Sequence, residues 1–183
     1  MILTKQIIKS KSLTANIVIA LSGSILLTLL ARLSIPVPFS PVPITGQTFG
    51  ILFLGAILGS RLGVLSVIAY ILEGLVGLPV FAGGTGGFMY LLGPTGGYLI
   101  GFIPAAYLVG YLSEKGLTNK FTTTFMTMII GTTIIFIFGI SWLAVTAGFE
   151  TAIRIGLYPY LSGAAVKIIL ATVVINSMNR FNT

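Results

Sequence analysis

Residues 121–149 read FTTTFMTMIIGTTIIFIFGISWLAVTAGF, a run without one charged side chain. A membrane span needs about 20 mostly apolar residues, so this run alone is long enough to cross a bilayer. Outward from it, charges divide the remaining chain in the same way: residues 12–31, 33–60 and 74–113 carry none. Of 183 residues, 56% are hydrophobic and 7% charged, against roughly a quarter charged in a typical soluble domain. Ten basic and three acidic side chains cannot solvate a globule of this size. Most of the surface must therefore face lipid.

The chain has no Cys and no His, and its acidic residues are Glu73, Glu114 and Glu150. This excludes thiolate or imidazole metal sites, Cys or His catalysis, disulfides and any mechanism that needs an Asp. No metal or cofactor is implied. A net charge of +7 would suggest nucleic acid in a soluble protein; here it is attributed to basic loops on the cytoplasmic side of a membrane. The reading is one all-α integral membrane domain over 1–183, and not a conventional enzyme.

Six helices are expected, at about 14–33, 46–59, 62–78, 96–113, 121–146 and 159–178. Lys5, Lys9 and Lys11 precede the first; a basic start before an apolar run also fits a signal peptide, but the length of the run and the next hydrophobic segment favour a span. Pro36, Pro38, Pro41 and Pro43 cannot continue a helix, because each lacks a backbone N–H and fixes φ. Residues 34–45 therefore read as an extended loop, and Arg61 as a tight turn. With the N-terminus inside, the cytoplasmic segments hold seven cations (Lys5, Lys9, Lys11, Arg61, Lys115, Lys120, Arg180) and the outer ones two, Arg32 and Arg154. That bias puts both termini in the cytoplasm, in a cell (plasma) membrane. It also puts the Pro-rich 34–45, the Gly-rich 79–95 and the connection 148–158 outside. Irregular backbone at membrane depth persists only when buried in protein or lining a wet cavity, so these segments are expected to cap an outward pocket.

Lys167 is the sharpest feature, with twelve uncharged residues on each side. A Lys in a span costs about 2.5 kcal/mol or more at the helix centre and faces a cavity or a partner. An anionic ligand would offset that cost; snorkelling outward or pairing with Glu73 or Glu150 are the alternatives. The Gly clusters GGTGG (83–87) and GPTGG (93–97) lack the Lys-Ser/Thr of a nucleotide loop, so any ATP use must reside in another chain. Glycines such as Gly84 let a loop press close to a ligand, with Thr85, Gln47, Thr48, Thr95 and Tyr98 as polar candidates. Ala20, Ser24 and Thr28 form a small-residue stripe that suits either a partner helix or internal packing.

The sequence resembles the BioY family, the biotin-specific substrate-binding (S) components of energy-coupling-factor (ECF) transporters. The resemblance covers about 13–178 and is densest in Pro43-Ile-Thr-Gly-Gln-Thr48, Gly77-Leu-Pro-Val-Phe-Ala-Gly-Gly84 and Gly93-Pro-Thr-Gly-Gly-Tyr-Leu-Ile-Gly-Phe102. It implies six membrane helices, capture of biotin from outside, and two kinds of partner: a transmembrane coupling protein and cytoplasmic ATPases. It further implies ligand contact by Thr85, Gln47 and Tyr98, and contact of Ala20 and Ser24 with the coupling protein. In the last helix the family pattern Pro-Gly-Asp-x-x-Lys reads Ser162-Gly-Ala-Ala-Val-Lys167. The Lys is kept, while Ala164 stands where the family has Asp. The biotin carboxylate would pair with Lys167 and its apolar parts would lie against Phe81 or Trp142. The alternatives are another small carboxylated vitamin, or a structural membrane protein in which the loops are packing; oligomeric state stays open.

Overall fold

The computed structural model describes residues 12–181; Lys5, Lys9 and Lys11 of the charge count lie outside the described residues. The chain runs as α1 (Leu13–Arg32), a hairpin of β1 (Ser34–Val37) and β2 (Ser40–Thr45), α2 (Gln47–Leu75), the one-turn α3 (Phe88–Leu92), α4 (Gly96–Glu114), α5 (Phe121–Ala147), α6 (Phe149–Gly156) and α7 (Leu161–Phe181). Among the described residues five stretches are long and apolar enough to cross a membrane, the last taken as Phe149–Arg180. Ile17, Ile25, Leu29, Ile137 and Val166 are each at least half exposed, a surface that suits lipid rather than water. The protein is a multi-pass membrane protein. Hydroxyls within the spans are satisfied by their own helices: Thr127, Thr132 and Thr172 donate to the carbonyls of Thr123, Met128 and Ile168.

The expected second and third helices are joined in one element, α2, which breaks at Gly59 (φ 80°, ψ −179°). The chain reverses there. Gln47 Nε2 donates to Tyr70 OH at 2.5 Å, although 23 residues of straight helix would separate them by about 35 Å. A Cβ on Gly63 would lie 3.1 Å from Gly55 Cα, so the arms 47–58 and 60–75 run antiparallel in close contact. The turn falls at Gly59 rather than at Arg61 because only Gly adopts that φ without strain. A Cβ at position 59 would also meet Glu114 Oε1 at 2.5 Å. That oxygen accepts from Ser60 N–H (2.7 Å) and Ser60 Oγ–H (2.9 Å), which caps the start of the second arm.

Residues 34–45, expected as a loop, pair as an antiparallel ribbon with Ser34 opposite Thr45 and Ile35 opposite Ile44. The register shifts between Ile35 and Val37, at Pro36. In a two-stranded ribbon both strands are edges, and a Pro is tolerated at an edge or a bulge. The hairpin, the Gly-rich segment and α6 gather at one end of the bundle, joined by bonds from Arg32 to Pro79 O, from Ser40 to Ile155 O and from Trp142 to Gly93 O. At the other end Ser60 meets Glu114, and Asn179 Nδ2 donates to Thr118 O.

Within the chain the stripe on α1 packs against α2, one of the two uses that its spacing suits. Ser24 is fully buried and donates to the Glu73 carboxylate; Ala20 is buried beside it. A Cβ at Gly23 would sit 2.3 Å from Ser66 Oγ, so small residues here bring α1 against the second arm of α2. Glu73 thereby pairs with a serine, not with Lys167 or Arg32.

Replacing Glu114 by Ala removes the acceptor of both Ser60 bonds. Thermal unfolding in detergent should then show a lower midpoint, corresponding to about 1–3 kcal/mol for the unsatisfied groups. An unchanged midpoint would mean that Gly59 sets the turn unaided.

Candidate functional site

The site is built where α7 passes the foot of the β-hairpin. Ala164, Ile168, Ala171, Thr172 and Ile175 form the buried stripe of α7, at the three- and four-residue spacing of a helix face. Lys167 stands at the edge of that stripe and turns inward, not towards the outer headgroups. Its ammonium donates to Thr45 O (3.1 Å) and Thr48 Oγ1 (3.3 Å). Both partners are neutral, so the positive charge is solvated by dipoles, and no counter-ion lies at this distance among the described residues. Ala164, one turn earlier and 7% exposed, offers only a methyl group.

A cavity lies against Lys167. Its lining combines β2 and the start of α2 (Val42, Thr45, Gln47, Thr48) with Tyr98, Leu99 and Phe102 of α4, Ile135 of α5, Tyr160, and Ala164 of α7. The ammonium, Thr45, Thr48 and Gln47 supply polar atoms, and the aromatic and aliphatic groups supply an apolar wall. This is the usual composition of a site for a small amphipathic molecule.

A relay of hydrogen bonds fixes the polar part. Thr45 Oγ1 donates to Gln47 Oε1 (2.8 Å), Gln47 Nε2 to Tyr70 OH, and Tyr70 OH to Val80 O (3.1 Å). Gln47 Nε2 carries a second hydrogen beside the one given to Tyr70. Tyr98 OH donates to Gly156 O at 2.7 Å, which ties α6 over the cavity. Tyr160 OH donates to Val42 O and lies 2.6 Å from Ser40 Oγ. The Tyr160 bond holds the hairpin down.

The sequence-predicted residues divide into two groups. Lys167, Gln47, Tyr98 and Ala164 line the cavity, with Thr48 and Thr95. Phe81, Gly84 and Thr85 are not among its lining residues. Phe81 is fully buried between Tyr70 (5.5 Å between ring centres) and Tyr90 (5.0 Å). Gly84 (φ 75°) abuts Arg32, where a Cβ would lie 2.3 Å from the guanidinium. Thr85 is exposed and donates to Ala82 O (2.9 Å), closing its own turn. Trp142 donates to Gly93 O (3.0 Å). Sequence reasoning missed Ala82, Tyr90 and Tyr160 in the lining; the two tyrosines sit next to the glycine and proline clusters but carry no spacing signal of their own.

Residues 4–183 match the model of the BioY family. The chain belongs to this family. Over 140 residues this BioY-family chain is 37% identical to the probable biotin transporter BioY of Pyrococcus horikoshii, covering 76% of the chain and 82% of that protein. It is 35% identical over 163 residues to the biotin transporter BioY of Rhizobium etli, covering 85% and 87%. Among solved structures it superposes with a TM-score of 0.81, at 29% identity, on the S-component for biotin from an ECF-type ABC transporter, over 91% of this chain and 92% of that one.

In this BioY-family chain, Tyr160→Phe removes the donor to Val42 O and leaves a buried carbonyl unpaired. The melting midpoint should fall by the equivalent of about 1–3 kcal/mol, and limited proteolysis should cut 34–45 faster. Unaltered proteolysis would show that the hairpin is held by Ser40 and Lys167 alone.

Proposed function

We propose that this chain captures biotin from outside and carries it across the plasma membrane as the substrate-binding subunit of an ECF-type transporter. A transmembrane coupling protein and cytoplasmic ATPases on other chains would supply the energy, since the sequence has no nucleotide loop of its own. The observation that carries the reading is Lys167: an ammonium inside a span, bonded only to neutral oxygens and facing a cavity with an apolar wall. A buried charge without a counter-ion is destabilising, and a ligand carboxylate would relieve it. The names of the relatives and of the structural neighbour point to biotin as that carboxylate.

Six crossings with both termini in the cytoplasm are part of the same proposal. The reversal at Gly59 divides α2 into two arms, and the seven-to-two distribution of cations supports an inward N-terminus. Ala164 favours a second reading, another small carboxylated vitamin, because its methyl leaves specificity to the rest of the cavity. Ligand contact by Gln47 and Tyr98 belongs to either reading. Thr85, Gly84 and Phe81 would act on the ligand through the shape of the cap.

Equilibrium binding of radiolabelled biotin to the detergent-purified chain tests this, with desthiobiotin and lipoate as competitors. Saturable binding displaced by desthiobiotin is expected; displacement by lipoate alone would favour the second reading. Lys167→Ala should weaken binding by about 10–100-fold, the equivalent of roughly 1.4–2.8 kcal/mol. Unchanged affinity in a folded variant would sink carboxylate pairing. Absence of any saturable binding by monodisperse protein would point to a structural role.

A further inference from the structure

At the end of the bundle opposite the hairpin, Tyr107, Tyr111 and Lys115 stand four residues apart on α4 and its cap, which places them on one helix face. Tyr107 is 54% exposed and Tyr111 42%, on the apolar surface that suits lipid. Their rings stack, with centres 6.4 Å apart and planes 12° from parallel. The Lys115 ammonium lies 5.4 Å from the centre of the Tyr111 ring. Lys115 therefore does not reach away from the bundle; it folds back along α4, towards the bilayer. We infer that this column binds one anionic phospholipid of the adjoining leaflet, with the lipid phosphate on Lys115, its ester carbonyls on the two phenols and its acyl chains along the apolar face beyond Tyr107. The site is separate from the cavity and does not depend on what the cavity holds.

Each group in the column calls for part of such a molecule. A lysine head drawn over a ring at the membrane surface has given up some of its water, and the ring face returns only a fraction of that solvation. Among the described residues Lys115 forms no ion pair, and the neighbouring Glu114 carboxylate is taken up by Ser60 N–H and Oγ–H. Neither phenol hydroxyl has a hydrogen-bond partner among the described residues. Tyr107 lies eight residues before Lys115, about 12 Å at ~1.5 Å per residue, which is deeper than a headgroup layer of roughly 5–8 Å. Water is scarce there and a hydroxyl needs an acceptor. The ester carbonyls of a phospholipid supply one at that depth. Further in, Ile103 and Pro104 are half-buried and carry no polar side-chain atom, a wall for acyl chains. Charge selects the headgroup. Among the described residues Arg61, Lys115, Lys120 and Arg180 stand at this end against Glu114, so a headgroup with its own cation is disfavoured and one with only its phosphate is attracted.

Quenching of Trp fluorescence by brominated lipid reads which phospholipid touches this face. The chain has one Trp, Trp142, so Trp142→Phe gives a silent background. In that background Leu108→Trp, half-buried and between the two tyrosines in sequence, reports on the site and leaves its three side chains intact. Val145→Trp, at an 86% exposed position near the hairpin end of α5, is the control. The full chain is reconstituted in mixtures of phosphatidylglycerol and phosphatidylcholine, one of them dibrominated. At Leu108→Trp, phosphatidylglycerol should be preferred about fivefold, as for one cation at an anionic headgroup. Lys115→Met should bring that ratio to about one, and Lys115→Arg should keep it. The control position should show a ratio near one in every background. A ratio near one at Leu108→Trp, a preference that survives Lys115→Met, or the same preference at both positions would overturn the site. Absence of quenching at Leu108→Trp by either lipid would overturn it too, since a second copy of the chain or another protein would then cover the face.

Discussion

The constraint on which the outer half of the molecule depends is the placement of one ammonium group inside a membrane span. Lys167 has no bulk water to solvate it, so oxygen dipoles must come to it. They come from Thr45 O and Thr48 Oγ1, at the foot of the hairpin and the first turn of α2. That requirement explains why irregular backbone is found beside α7. The first arm of α2 is short, 47–58 or about 18 Å at ~1.5 Å per residue, and the base of the ribbon lies at the depth it leaves free. The exposed carbonyl of Thr45 is tolerated there because it has a partner.

From that point order spreads through side-chain hydrogen bonds. The relay from Thr45 through Gln47 and Tyr70 to Val80 joins the hairpin to both arms of α2 and to the Gly-rich segment. A second set, from Tyr160 to Val42 and from Ser40 to Ile155, joins the hairpin to the turn before α7 and to α6. The cap is thus made of the same polar groups that border the cavity. In the proposed capture of a carboxylate, the ligand would complete an electrostatic arrangement that the protein alone leaves with a positive charge and no counter-ion.

Much of this was legible from the chain. Neutral runs gave the long helices to within a few residues, because the hydrocarbon core tolerates so few charges that a Lys, Glu or Arg marks at least one end of each, with Pro or Gly at the other where no charge stands. Lys167, Gln47, Tyr98 and Ala164 were found as candidates and do line one cavity. The misses have physical causes. The prolines of 34–45 excluded a helix and left an extended loop; its pairing as a ribbon carried no signal of its own, since a two-stranded ribbon has no interior ladder for a Pro to break. GGTGG was read as a loop pressed close to a ligand; in the structure Gly84 makes room for Arg32 and Thr85 closes a turn, contacts that no local spacing announces. Small residues at Ala20 and Ser24 suit any close helix contact, and their spacing carries no information on whether the neighbouring helix belongs to the same chain.

The sequence by itself determined that this is a membrane protein, where its long apolar helices lie to within a few residues, and that a cation lies within the last of them. These follow from the one-dimensional distribution of charge, Pro and Gly, which a bilayer converts directly into position. Tertiary structure decided the rest. Only folding shows that the turn between the two arms of α2 falls at Gly59, that Glu73 meets Ser24 rather than Lys167, and that Phe81 is a core residue while Tyr90 and Tyr160 border the cavity. Those choices depend on which residues far apart in the chain come within hydrogen-bonding or van der Waals distance, and no local pattern encodes that.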